Sequence, residues 1–275
     1  MSSETETGRT QPIKHERKMK TVFVLGIARS GSTLLGRMLD THSKILCVGE
    51  MMRIGQALES QRICSCGALV DQCPFWKEQL PLLNQEASNL NYRKFTPRLY
   101  DTIAQRAGKD LVVDLSKTLV WRAMHWPPNW RWIGKKDFGF IFLLRDSRGV
   151  TASSIRDGKS FQESIRTHFK WMRRFCRFYD RFRQRTLVVR YEDLCADPKK
   201  QLEIVCRFLG LEFEDACLDP VRKEHHLVHC SKSNYMKNQS KIQQDERWKN
   251  ELTKGQVTQV EAEMRNIPFL KESYL

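Results

Sequence analysis

The sequence predicts an α/β fold of three layers, with a central parallel sheet covered by helices on both faces. Three observations carry this. Short, continuously apolar and β-branched runs recur at residues 21–26 (TVFVLG), 111–114 (LVVD), 139–144 (GFIFLL) and 186–190 (TLVVR). Strands that are apolar at every position are buried on both sides, which is the signature of a parallel sheet. Segments with helical spacing separate these runs, as parallel neighbours require. The first run also passes straight into a glycine-bearing turn and a helix, a strand–loop–helix unit.

The helices follow in order. Residues 33–41 continue from the first turn, and residues 92–107 precede the second strand. Residues 161–183 place Phe161, Ile165, Phe169, Met172, Phe175, Tyr179 and Phe182 three or four positions apart, one stripe that faces the core. Arg166, Lys170, Arg173, Arg174, Arg177, Arg181 and Arg183 lie on the same helix and read as a solvated face. Asp197-Pro198 opens a further helix and Gly210 closes it.

The 275 residues suit a single domain over 21–275 preceded by a flexible polar tail over 1–20. That tail lacks the apolar stretch of a secretory signal, and no run of about 18 apolar residues exists to span a membrane, so a cytoplasmic location is expected. With 47 Lys and Arg against 32 Asp and Glu, the chain carries a net charge of +15. This excess attracts anions such as nucleotides or an acidic acceptor; no nucleic-acid motif accompanies it, so no specific nucleic-acid partner is expected. The nine cysteines, an odd number, read as free thiols. Cys64, Cys66 and Cys73 tempt a metal assignment, but the spacing differs from a zinc knuckle and no fourth ligand is evident, so no metal is expected.

The first turn carries the clearest chemistry. Gly26-Ile-Ala-Arg-Ser-Gly-Ser-Thr33 sets backbone N–H groups and three hydroxyls at a helix start, an anion-binding arrangement. The spacing from Gly26 to Gly31 is that of a nucleotide P-loop, so the fold expected is P-loop NTPase-like. Ser32 stands where the P-loop lysine would be, which argues against ATP or GTP, and Arg29 supplies the cation. The binding set read here is Arg29, Ser30, Gly31, Ser32 and Thr33. The third of the runs ends at Arg145, with Ser153 eight residues on, about two turns into the next helix. Arg145 and Ser153 suit a shared phosphate at a strand's carboxyl end, although pairing of Arg145 with Asp146 fits the residues equally well.

The stretch RSGSTLL, continuing through MLDTH to GEM, resembles the sulfotransferases, within them the tyrosylprotein and bacterial-type branches. The resemblance covers residues 22–252 and implies a single sulfotransferase domain. It implies transfer of a sulfuryl group from 3′-phosphoadenosine 5′-phosphosulfate (PAPS) to an acceptor hydroxyl on a carbohydrate, tyrosine or small alcohol; no carboxylate pair in the sequence offers a Mg²⁺ site, so no metal is expected to take part. It also implies that Arg145 and Ser153 take the 3′-phosphate and that Glu50 is the general base. Arg29 and Lys117, in VVDLSK, would neutralise charge near the sulfate. The same likeness matches His226 or His229, then SNYMK, then DERW to a segment that folds over the nucleotide, with Ser233 and Lys237 near phosphate. His42 is the rival base. Two other functions remain open on the residues: a nucleotide kinase or NTPase, favoured by Asp114 as a Mg²⁺ ligand, and a basic binding protein with an inactive fold.

Overall fold

The computed structural model describes residues 19–86, 90–91, 94–125, 137–229 and 242–275. In chain order the elements are β1 (Thr21–Leu25), α1 (Ser32–Asp40), β2 (Ile45–Cys47), α2 (Ile54–Glu59), α3 (Pro74–Glu86) and α4 (Pro97–Arg106). They continue with β3 (Leu111–Asp114), α5 (Thr118–Met124), β4 (Phe138–Leu144), α6 (Ser147–Arg156), α7 (Phe161–Phe182), β5 (Thr186–Arg190) and α8 (Tyr191–Ala196). The chain ends through α9 (Pro198–Leu209), α10 (Trp248–Glu251), α11 (Lys254–Arg265) and α12 (Pro268–Tyr274).

The strands form one parallel sheet in the order β2-β3-β1-β4-β5, the expected three-layer α/β fold. Register is set by continuous pairing on both sides of β1: Val22 lies opposite Val113 and Gly139, and Phe23 opposite Asp114 and Phe140. Because side chains alternate along a strand, β1 feeds two cores. Phe23 and Leu25 join Phe140, Phe142, Phe169 and Phe175 under α7. Val22 and Val24 join Leu35, Leu39, Val205 and Leu209 under α1 and α9. The chain runs from β1 out to β2 at one edge, returns through β3, and crosses to β4 on the other side of β1, so the order reverses at β1 and the crevice at its carboxyl end is where a ligand fits such a sheet.

Several boundaries moved for local reasons. The helix expected at 92–107 begins at Pro97, because Thr96 caps it by accepting the Leu99 N–H and proline suits the first turn. The helix that carries Ser153 begins at Ser147, capped by the Asp146 carboxylate on the Arg148 N–H. On α7 the buried stripe also takes in Trp171 and Phe178, and Arg174 lies across Trp121 and Trp171 instead of in solvent. The other six basic residues of that run are exposed. At the amino end, Met19 and Lys20 are docked: Met19 is buried, and its N–H donates to the Leu209 carbonyl. Among the described residues no helix is long and apolar enough to cross a membrane.

Candidate active site

The turn after β1 is built from unusual backbone. Arg29 has φ 74° and Gly31 φ 91°, and the second of these hands the chain to α1, whose first N–H groups open on the loop. A β-carbon on Gly31 would lie 2.4 Å from Cδ2 of Tyr191, so both the torsion and the neighbour demand glycine. Gly31→Ala is therefore expected to cost about 1–3 kcal/mol and to lower the melting temperature and nucleotide affinity together. Calorimetry and thermal melts that match wild type on both counts would show that the loop tolerates the residue.

The loop is prepared for an anion. Ser30 Oγ and Arg29 Nε are buried without a hydrogen-bond partner among the described residues. Orphaned donors of this kind are costly unless a ligand or an ordered water satisfies them. The Arg29 guanidinium meets the Asp157 carboxylate at 2.6 Å, through the end of α6.

Arg145 leaves the end of β4 and turns back over the same loop. One guanidinium nitrogen donates to the Arg29 carbonyl at 2.8 Å. The other donates to the Asp245 carbonyl and lies 3.2 Å from its carboxylate. The guanidinium stacks 4.5 Å from the Tyr191 ring centroid. The pairing with Asp146 that the sequence left open does not form, since Asp146 binds Arg148 at 2.6 Å. Arg148 in turn reaches Glu261 and stacks on Trp248, so it belongs to the packing of α6 against α10 and α11. A β-carbon on Gly149 would sit 3.2 Å from Arg145 Nε, which puts Arg145 along the face of α6 that carries Gly149. Ser153, four residues on, shares that face.

Asp245 is the internal counter-ion of this region. Burial works against its charge, but Arg247, Arg145 and Arg156 hold its carboxyl well below the usual carboxylate range. Carboxylates of Asp157 and Asp245 thus neutralise Arg29 and Arg145.

On the other side of β1, Glu50 and Lys117 come together. Lys117 Nζ donates to Glu50 Oε1 at 2.5 Å, and Arg53 Nε donates to Oε2 at 2.8 Å. Lys117 has φ 50°, and its backbone N–H donates to Val24 near the end of β1, so the pair sits beside the mouth of the phosphate-type loop. Glu50 is fixed through its own N–H, which donates to the Val228 carbonyl at 2.8 Å. Burial opposes its charge, but Lys117 first and Arg53 next bring its carboxyl below the ordinary glutamate value, so it is ionised. His229 Nδ1 is 3.9 Å from Glu50 Oε2, and its Nε2 is buried without a partner among the described residues.

Other candidates fall away. His42 is buried on the far side of α1, with Nε2 on the Glu212 carbonyl and Nδ1 accepting the Lys44 N–H. Asp114 is fully buried: Oδ1 accepts the Ser116 N–H, Oδ2 accepts the Tyr100 hydroxyl, and burial raises its carboxyl to about 6. Both of its oxygens thus brace the turn that carries Ser116 and Lys117. Ser233 and Lys237 lie outside the described residues. Tyr191, Arg53 and Asp157 were missed in the sequence. The signal that could have found Tyr191 is its place at the carboxyl end of β5, the same rule that marked Arg145.

The model of the family described as "Sulfotransferase family" matches residues 21–215, which include the loop, Glu50, Lys117, Arg145 and Ser153. Among curated proteins, the chain is 23% identical over 232 residues to protein-tyrosine sulfotransferase 1 of Danio rerio, covering 75% of this chain and 58% of that protein. It is 25% identical over 243 residues to the protein-tyrosine sulfotransferase of Drosophila melanogaster, covering 80% and 42%. The chain thus spans about half the length of the curated relatives it matches. Among solved structures, a sulfotransferase domain from the curacin biosynthetic pathway superposes with TM-score 0.66 at 21% identity, covering 90% of this chain and 98% of that one. A mouse sulfotransferase complexed with PAP superposes with TM-score 0.52 at 12% identity, covering 92% and 89%. At these identities the structural likeness establishes a shared fold.

Proposed function

The chain belongs to the sulfotransferase family, and on that premise we propose that it transfers a sulfuryl group from PAPS to an acceptor hydroxyl. The single observation that carries the reading is the Glu50–Lys117 pair, joined at 2.5 Å beside the anion-ready loop. In the reaction the acceptor oxygen attacks sulfur and gives its proton to Glu50. The bond between sulfur and the bridging oxygen of the 5′-phosphate breaks, and 3′-phosphoadenosine 5′-phosphate (PAP) departs with that electron pair.

Each residue has a role in that step. The loop N–H groups with Ser30, Ser32 and Thr33 receive the 5′-phosphosulfate, and Arg29 turns from Asp157 to the phosphate oxygens. Arg145 and Ser153 take the 3′-phosphate, with Arg145 exchanging Asp245 for it. Lys117 has three donors on one nitrogen, so it can hold Glu50 and still stabilise charge growing on the sulfuryl and bridging oxygens. Its bond to Glu50 also aims the carboxylate at one point, which makes the transfer geometry repeatable.

Radiolabelled PAPS offered to a panel of sugars, tyrosine peptides and simple alcohols tests this directly. Transfer of label to one class supports it, and absence of both transfer and PAP binding would end it. The same assay bears on the nucleotide-kinase alternative. With both Asp114 oxygens hydrogen-bonded within a fully buried turn, turnover is expected to be unchanged when Mg²⁺ is added or omitted. A strict Mg²⁺ requirement would favour the NTPase reading.

A further inference from the structure

Four side chains from two distant segments converge beside the Glu50 loop. Cys64, Cys66, Cys73 and His226 place one ligand atom each so that all lie within 4.8 Å of one another. The Cys66 and Cys73 sulfurs are 3.7 Å apart, and Cys73 Sγ is 3.3 Å from His226 Nδ1. A tetrahedral zinc with usual bond lengths requires sulfur–sulfur edges of about 3.8 Å and sulfur–nitrogen edges of about 3.6 Å. The sulfur–sulfur separation is too long for a disulfide, whose bond is about 2.05 Å. We propose that Cys64, Cys66, Cys73 and His226 bind one structural zinc ion, which fixes the segment that holds Glu50.

The surroundings suit a closed site. Burial pushes the Cys64 and Cys73 thiols up, and the backbone N–H groups of Cys66 and Trp76, which donate to the Cys64 and Cys73 sulfurs, oppose it. Gly67, at φ 98°, closes the turn by donating to the Cys64 carbonyl. His226 stacks on Phe75 at 5.8 Å, its carbonyl accepts the Trp76 indole N–H at 2.7 Å, and a Glu224 oxygen lies 3.7 Å from its outer ring nitrogen. A carboxylate beside the outer nitrogen of a ligating histidine is a recurrent orienting device. Three soft sulfurs and one imidazole select zinc over magnesium or calcium. The fourth ligand is 153 residues downstream of Cys73.

The link to Glu50 is short. Ser65, between two of the cysteines, donates to the His225 carbonyl and accepts the Leu227 N–H. His225 is itself held at 2.6 Å by Asp40, at the end of α1. Two residues past His226, Val228 bonds to Val48 and to Glu50 on either side of Gly49. A β-carbon on Gly49 would fall 2.4 Å from the Val228 backbone, so the two strands of chain are in full contact. The metal would clamp the 64–73 loop to the 225–229 segment, and that segment sets Glu50.

Metal analysis of the full chain, purified without chelator from zinc-supplemented cells, is expected to give about one zinc per chain. Cobalt in its place should show thiolate-to-metal charge transfer and the intense visible bands of a tetrahedral site. Cys66→Ser and His226→Gln should each lose the metal, and Cys66, being partly exposed, is the variant least disruptive to packing. Folded wild-type protein that holds no zinc after exposure to excess metal would overturn the site, as would a disulfide among the three cysteines in freshly isolated protein. The bracing role rests on the proposed function. It requires that chelator-stripped protein or Cys66→Ser keep PAP affinity while turnover falls, and unchanged turnover would remove it. Zinc content is measured without PAPS, so a protein that binds zinc but transfers nothing would sink the functional reading and leave the metal site standing.

Discussion

Glu50→Gln is expected to lower turnover by about 10²–10⁴-fold while leaving PAP affinity near wild type, the scale for removal of a positioned general base. The substitution keeps the same volume and one acceptor oxygen, so one of Lys117 and Arg53 keeps its partner while the other faces the amide NH₂ and must find another. The base must be ionised to accept a proton. Since Lys117 and Arg53 overcome burial and set its carboxyl below the ordinary glutamate value, the ionised form prevails at neutral pH. The acid limb of the rate profile should therefore lie below about pH 4.3, the usual glutamate value, and activity should fall only as pH drops through the lowered value. Single-turnover kinetics with PAPS and an accepted alcohol provide the check. Normal turnover in Glu50→Gln would transfer the role to His229, whose Nδ1 is 3.9 Å away. A parallel fall in PAP affinity would mean that Glu50 shapes the loop instead of accepting the proton.

Arg145→Ala is expected to weaken PAP binding by roughly 2–3 kcal/mol, about 30- to 150-fold, the value of charge-assisted hydrogen bonds to a phosphate. The free protein should tolerate the change, because Asp245 keeps Arg156 and Arg247 as partners. Arg145 also holds the Arg29 carbonyl, so a loss could arise from a slackened loop. Adenosine 5′-monophosphate separates the two causes, since it has the 5′-phosphate and lacks the 3′-phosphate. Calorimetry should show the variant losing affinity for PAP far more than for the monophosphate. Equal losses for both ligands would assign Arg145 to the loop and leave the 3′-phosphate without its main partner.

Local patterns in the sequence determined much of this protein. Strands β1, β3, β4 and β5 were legible because both faces of a parallel sheet are buried, so each strand is apolar at nearly every position. The loop around Gly31 and the position of Arg145 were legible because anion sites follow strand ends directly in the chain. β2 was not: three residues, Ile45–Cys47, are too few for a period, and they form a strand only because β3 offers an edge to pair with. Glu50 and Lys117 came from a family resemblance, and nothing in the residues showed that positions 67 apart would touch. That contact depends on the strand order β2-β3-β1-β4-β5, which sets the turn after β3 next to the loop after β2. The tertiary structure alone decided that His226 meets the cysteines while His229 faces Glu50, that His42 turns away, and that Asp245 neutralises Arg145. Periodicity and strand-end rules act over a few residues, whereas these partners meet only after β-sheet order and the packing of the 225–229 segment bring distant parts of the chain together.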